Sequence, residues 1–247
     1  ASSSSYTKEA MIFTNNITGS NILSSSTSAF WFWQGNLQAG HGGGFIDVFA
    51  NASSLINSWN HVALTYDSAT TTMKLYINGV LQGTTLATGW SSIQNNSASL
   101  KFGSYGTYFN QFFKGGLDNL RLWNIAKTAP QINALNNDDV AGTELGLVAN
   151  YNFNQGIPNS NNSTTTTIFD NTATQNNGIL NNFAKTGSNS NFVAGYLIPI
   201  TGLSQVNSAS TIQLSHVLAG GTWSSSSTGI ATVSSTGLVT GVTGGTA

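Results

Sequence analysis

The chain has no cysteine. Disulfide staples, thiolate metal sites and cysteine nucleophiles are therefore excluded together. Charge is almost as scarce. Seven Lys+Arg and eight Asp+Glu make up 6% of 247 residues, where an average soluble domain carries roughly 25%. So few cations cannot build a basic face, which excludes a nucleic-acid partner and argues against a polybasic membrane-surface role. No apolar run approaches the ~20 residues of a spanning helix, so membrane insertion is not expected. With only three prolines the chain is not a proline-rich stalk. Disorder is excluded by a hydrophobic content of 39% and an aromatic content of 11%, enough for a packed core.

What fills the polar quota is Ser, Thr, Asn and Gly. A cysteine-free chain of this kind fits a bacterial protein secreted to the cell surface and kept soluble without charge. The Ser2–Ser5 opening has neither the basic n-region nor the apolar h-region of a signal peptide, so any export signal is expected outside this sequence.

Period-2 alternation recurs and long helical periodicity is nearly absent, which predicts an all-β fold. Val62, Leu64 and Tyr66 share one face of a strand, and Met73, Leu75 and Ile77 share one face of the next. Asn78-Gly79 then offers a two-residue type I′ turn into Val80-Leu81, since both residues tolerate positive φ. Further strands are predicted around 29–33, 37–39, 45–49, 100–103, 117–123 and 147–153, a spacing that reads as a β-sandwich. Segments 164–170 and 178–183 can also pair. Thr128-Ala129-Pro130-Gln131 carries a cap, an early proline and a Gln three residues after the cap, so a helix of about two turns is expected, with Ile132 and Leu135 as its apolar stripe. The composition shifts near 192–201. Residues 1–192 are read as the main domain, 193–198 as a linker and 199–247 as a second, smaller β unit with strands at 211–214, 221–224, 230–233 and 238–242.

The order and spacing of several short blocks resemble the laminin-G-like, pentraxin-like branch of the concanavalin A-like lectin/glucanase superfamily. The blocks are Trp59-Asn60-His61-Val62-Ala63-Leu64-Thr65-Tyr66-Asp67, Leu75-Tyr76-Ile77-Asn78-Gly79, Phe102-Gly103 and Gly116-Leu117-Asp118-Asn119-Leu120-Arg121-Leu122-Trp123-Asn124. Gln131-Ile132, residues 147–153 and Asp170 with Asn177-Gly178-Ile179-Leu180 extend the match to roughly residues 6–185. Tyr6–Ile12 looks like the family's early strand, with Met11 where a Trp is usual and the preceding strand missing. Gly221-Thr222-Trp223-Ser224 and Ile230–Gly241 resemble a bacterial immunoglobulin-like domain whose last strand is absent. The resemblance implies a jelly-roll β-sandwich followed by a partial immunoglobulin-like sandwich, as in large repetitive bacterial surface adhesins, gliding-motility adhesins among them. The implied function is non-catalytic glycan binding, with neighbouring domains of the same long chain as further partners. The rival is a structural spacer or protein-binding module in a long surface filament. Asp67-Ser68-Ala69 also resembles the short pattern that some Bacteroidota glycosylate on the hydroxyl.

Because the superfamily includes glucanases, catalysis has to be tested. Retaining hydrolysis needs two carboxyl groups about 5–5.5 Å apart. Only Glu9 and Glu144 are present, and neither has a carboxylate neighbour at such spacing. No Gly-x-Ser-x-Gly occurs, and the three histidines show no i, i+4 pair. The chain is not expected to be an enzyme.

Binding has more candidates. Phe30-Trp31-Phe32-Trp33 sends two aromatics to each face, and only one face of a sandwich strand meets the core. Trp31 and Trp33 are thus either covered by loops such as 40–44 or exposed as a platform for sugar rings. His41, in a glycine-rich run, is a candidate hydrogen bonder at the rim, or part of a floppy loop. In the loop from Gly103 to Lys114, Tyr105, Tyr108 and Asn110 are the residues expected to be exposed for carbohydrate. Asp118 would share a face with Leu120 and Leu122 at the end of a buried row. A buried carboxylate needs a partner, which leaves two readings: backbone or lysine pairing, or a calcium ligand. The resemblance makes Asp170 the second calcium candidate, in a loop rich in side-chain oxygens. Calcium is accordingly the one cofactor considered. Low charge favours a neutral glycan or surface polysaccharide over an anionic one.

Overall fold

The computed structural model describes residues 5–25, 28–41, 46–87, 100–105, 111–136, 140–186, 191–193, 195–196, 202–215 and 222–247. It divides into two compact units, Ala1–Tyr196 and Leu197–Ala247.

In the first unit, two antiparallel sheets enclose one core. The larger contains β1 (Tyr6–Thr14), β6 (Trp59–Asp67), β7 (Thr72–Ile77), β8 (Val80–Leu86), β10 (Gly115–Trp123) and β11 (Leu147–Tyr151), in the order β11-β10-β1-β6-β7-β8. The smaller contains β2 (Gly19–Ser24), β3 (Ser28–Trp33), β4 (Asn36–His41), β5 (Ile46–Asn51) and β9 (Lys101–Phe102), in the order β5-β4-β3-β2-β9. β12 (Thr167–Ile168) and β13 (Gly178–Ile179) form a separate two-stranded pair. The sequence alternation becomes the inner faces: Ile12, Val62, Leu64, Leu75 and Leu120 from one sheet meet Ile22, Phe30, Phe32, Leu37 and Val48 from the other. Asn78 (φ 49°) and Gly79 (φ 76°) make the positive-φ turn between β7 and β8.

β2 escapes a period-2 reading for a physical reason. The β2–β3 register shifts between Asn21 and Leu23, and this bulge sends the adjacent Ile22 and Leu23 both into the core. A second bulge corrects the position expected for Asp118. Glu9 pairs with Arg121 but Met11 pairs with Asp118, so Ala10 faces two residues of β10. Asn119 takes up the extra residue at φ 44°. Leu117, Leu120 and Leu122 pack on the core, while Asp118 falls with Met11 on the opposite face.

The outer face of the larger sheet is covered in turn. Helix α1 (Ala129–Leu135) starts at a capping box, with the Thr128 N–H donating to Gln131 Oε1 at 2.9 Å. It buries Ile132 against Ala63 and Tyr76. The segment after Trp123 is strapped to β1, since Thr7 Oγ1 donates to the Ile125 carbonyl (2.8 Å) and accepts from the Lys127 N–H (2.9 Å).

The second unit is a three-stranded antiparallel sheet of β14 (Thr211–Gln213), β15 (Ala231–Val233) and β16 (Leu238–Gly241), in the order β14-β16-β15. The strand expected at 221–224 does not form: Thr222–Ser224 carry no ladder, and Gly221 lies outside the described residues. Among the described residues no helix is long and apolar enough to cross a membrane.

Candidate functional site

The outer face of the smaller sheet brings aromatic rings to solvent. Register fixes its rows. Phe49, Gln38, Trp31 and Asn21 lie side by side across β5, β4, β3 and β2, and Asn51, Asn36, Trp33 and Gly19 form the next row. Neighbouring strands sit about 4.8 Å apart, so each row is a ladder of alternating rings and amides. Trp33 is 42% exposed and Phe49 60% exposed. Trp31 is half-buried: its indole N–H donates to Gln38 Oε1 at 3.0 Å, and its ring meets Tyr105 edge-on at 6.0 Å. Those contacts hold the Trp31 plane in one orientation. Asn21 is buried beneath the segment at Gln111, donating from Nδ2 to Gln111 Oε1 at 3.1 Å. A third row runs Asp47, Gly40, Ala29, Ser24, Lys101, so the described charged groups on this face stand at the edge strands and the centre is neutral.

The sheet therefore brings Trp31, Trp33 and Tyr105 onto one face. Tyr108 and Asn110 lie outside the described residues. Sequence reasoning passed over Phe49 and Gln38. Their signal was available only once β4 and β5 were paired with β3.

His41 is not at a rim. It is the last residue of β4, opposite Ser28 in β3, and its parity with Leu37 and Ala39 turns it inward, where it is 2% exposed. Its Nδ1 lies 3.0 Å from the Tyr6 hydroxyl and its ring packs edge-on against Tyr66 at 4.5 Å.

Both aspartates accept hydrogen bonds from the protein. Asp118 Oδ1 accepts the Asn119 N–H (2.8 Å) and Oδ2 the Tyr196 N–H (2.7 Å). Asp170 is more heavily engaged. Its Oδ1 accepts from the backbone of Asn150 (2.9 Å) and Thr172 (3.0 Å), and its Oδ2 from the Asn176 N–H (2.9 Å) and the hydroxyl of Thr172 (2.9 Å). Burial pushes this carboxyl up, but those donors outweigh it and hold it below the ordinary aspartate value. Calcium needs oxygens whose lone pairs point into a shared shell, and at Asp170 they point at N–H and O–H groups instead. Among the described residues no three His, Asp or Glu side chains gather to hold a metal.

The glutamates are committed as well. Glu144 accepts from the Ala141 (2.7 Å) and Gly142 (2.9 Å) N–H groups and so closes a loop. Glu9 is enclosed under the 124–128 strap. Its Oε1 accepts from Trp123 Nε1 and its Oε2 lies beside His61 Nε2, both at 2.9 Å, with Arg121 Nη1 3.5 Å from Oε1. Burial raises its pKa, and His61, Arg121 and Trp123 together bring it below the usual carboxylate range. Sequence reasoning missed this cluster, whose members come from three strands that pair side by side.

Comparison with known proteins agrees with the architecture. The Laminin_G_3 model of the concanavalin A-like lectin/glucanases superfamily matches residues 1–133, and the bacterial Ig-like domain (group 2) model matches residues 198–247. No curated protein matches the sequence. A crystal structure of a candidate carbohydrate-binding protein from Bacteroides ovatus superposes with a TM-score of 0.58 at 22% identity, covering 76% of this chain and 56% of that one. The chain thus spans little more than half the length of that protein. A heptameric SAP-like pentraxin from Limulus polyphemus aligns at TM-score 0.44 and 19% identity over 53% of this chain and 69% of its own. The sialidase module CBM40 of Ruminococcus gnavus aligns at TM-score 0.46 and 15% identity over 55% of this chain and 84% of its own.

Proposed function

Because the chain belongs to the concanavalin A-like lectin/glucanases superfamily, we propose that its first unit is a non-catalytic carbohydrate-binding module whose binding face is the outer surface of the smaller sheet. The observation that carries this reading is the pair of solvent-exposed rings, Trp33 and Phe49, flanking Trp31, with Gln38 and Asn36 between them. Flat rings give apolar area to the C–H faces of sugars, and amides offer both donors and acceptors to hydroxyl groups. The neutral centre of the face favours a neutral glycan. Glu9 and Glu144 are both held by donors elsewhere, which supports a binding rather than a hydrolytic role. The immunoglobulin-like match at 198–247 supports the setting, a module within a larger secreted protein of the bacterial surface that acts in adhesion.

The test is a glycan array of the whole chain, in calcium and again in EDTA, with Trp33→Ala and Phe49→Ala alongside. Both rings are exposed, so each variant should keep its unfolding midpoint and lose about tenfold in affinity, ~1.4 kcal/mol. Binding that survives EDTA is expected. Binding abolished by EDTA would move the site to a calcium-dependent rim. No binding by a folded sample would favour the spacer.

A further inference from the structure

Between the two sheets, at the end of the sandwich where β1 faces β3 and β4, polar groups stand where apolar ones are expected. Lys8 lies on the inner face of β1, in parity with Tyr6, Ala10 and Ile12 of the core, and is 6% exposed. Its Nζ donates to Ser28 Oγ at 2.7 Å and stands 5.2 Å from the centre of the Tyr6 ring. No ion pair joins Lys8 to an acidic residue among the described residues. Ser28 is the register partner of His41, so the ammonium, the hydroxyl and the imidazole meet on neighbouring positions.

Hydrogen-bond accounting at this spot leaves a surplus of donors. The Tyr6 phenol is fully buried, and burial raises its pKa far above neutrality, so it stays protonated and can donate to His41 Nδ1. With the phenol as donor, the tautomer carries its proton on Nε2, which is buried and has no hydrogen-bond partner among the described residues. Burial, with the charge of Lys8 adding to it, lowers His41 to about 4, so the ring is neutral at pH 7 with one proton to give. Ser28 accepts from Lys8 and has Ser25 Oγ at 3.1 Å. The ammonium has three protons and, among the described residues, one hydrogen-bond acceptor. A buried cation without a counter-charge, next to an orphaned N–H donor, lacks an acceptor that carries negative charge.

We propose that Lys8, Ser28 and His41 form a binding site for one small monovalent anion of the halide class, enclosed between the sheets. The interior position and the few donors suit a single-atom ion better than a carboxylate or phosphate of a larger ligand. The anion compensates Lys8 and accepts from His41 Nε2.

The test compares sodium chloride and bromide with sodium gluconate at equal ionic strength, in the whole chain and in Lys8→Met and Ser28→Ala. Expected is a saturable rise in the unfolding midpoint of the first unit with halide alone, about 3 °C at tenfold excess over the dissociation constant. The rise should vanish in Lys8→Met and shrink in Ser28→Ala. Halide should also raise the pKa of His41, read from its ring nitrogens by NMR, and a bromide crystal should show an anomalous peak within hydrogen-bond distance of Lys8 Nζ. An equal response in Lys8→Met, an unmoved His41 titration, or water alone at that position would overturn the proposal. If Lys8→Met fails to fold, the His41 titration and the bromide peak decide it in the unmodified chain.

Discussion

Glu9→Gln should be among the most damaging single-atom-scale changes available in this protein. The Glu9 side chain is 0% exposed and Arg121 1%. Neutralising Glu9 removes the carboxylate that lies 3.5 Å from the buried Arg121 guanidinium, and breaking one partner of a buried ion pair costs about 3–5 kcal/mol. The new amide nitrogen must also take the place of one of two acceptors, opposite either His61 Nε2 or Trp123 Nε1. Trp123 Nε1 can only donate, so it keeps its bond if the amide oxygen faces it, while His61 can accept from the amide nitrogen with its own proton on Nδ1, and the total stays at about 3–5 kcal/mol. For a domain of this size that is a fall in midpoint of about 6–20 °C. Urea unfolding followed by tryptophan fluorescence reads it directly, with an unchanged m-value confirming that the native state is still compact. The acid limb gives an independent sign. Glu9 is held below its ordinary value of 4.5, so its contribution is fully present above that pH and is lost as pH falls through the native value. The gap between the unmodified protein and Glu9→Gln should therefore narrow in acid. A loss under about 1 kcal/mol at pH 7, or a gap that widens in acid, would refute the reasoning.

Three further outcomes follow from the same structure. Asp170→Ala strips the acceptor from three backbone N–H groups and should cost about 2–4 kcal/mol, with faster hydrogen exchange across 170–177 and no change in any response to calcium. Asn119 holds positive φ at the β10 bulge, so Asn119→Gly should be tolerated in urea unfolding while Asn119→Val costs about 1–2 kcal/mol. Lys8 is lowered by burial from 10.5 to about 8, so the native state binds fewer protons than the unfolded chain between those values. Stability should rise with pH from about 8 to about 10.5, and in halide-free buffer Lys8→Met should be the more stable form at pH 7 by about 3 kcal/mol, a gap that closes by pH 10.5 in denaturant titrations.

Most of the strands were legible because their signal is local. Alternation at 62–66 and 73–77, the Asn78-Gly79 turn and the Thr128 capping box each depend on a few consecutive residues. The all-β class and the two-sided aromatic run at Phe30–Trp33 could be read before any strand was paired, while the jelly roll and its immunoglobulin-like neighbour came from the resemblance of the ordered blocks to known families. What stayed hidden depends on pairing. A bulge changes the parity of every residue beyond it, and it exists only between two strands; this is why Asp118 left the face of Leu120 and why Ile22 and Leu23 are both core. His41 sits in a run of glycines that reads as loop, yet the ladder with β3 carries β4 as far as His41 and turns the imidazole inward.

By itself the sequence determined the class of fold, the shortage of charge that makes a neutral partner the expected one, and the exclusion of cysteine chemistry. Only the tertiary structure decided which polar groups are enclosed and which rings are exposed. Glu9 with His61, Arg121 and Trp123, and Lys8 with Ser28 and His41, are each assembled from strands far apart in the chain. The physical reason is that alternation sets which side of its own strand a residue takes, while the register with the neighbouring strands and the layer laid over each face set whether that side meets water.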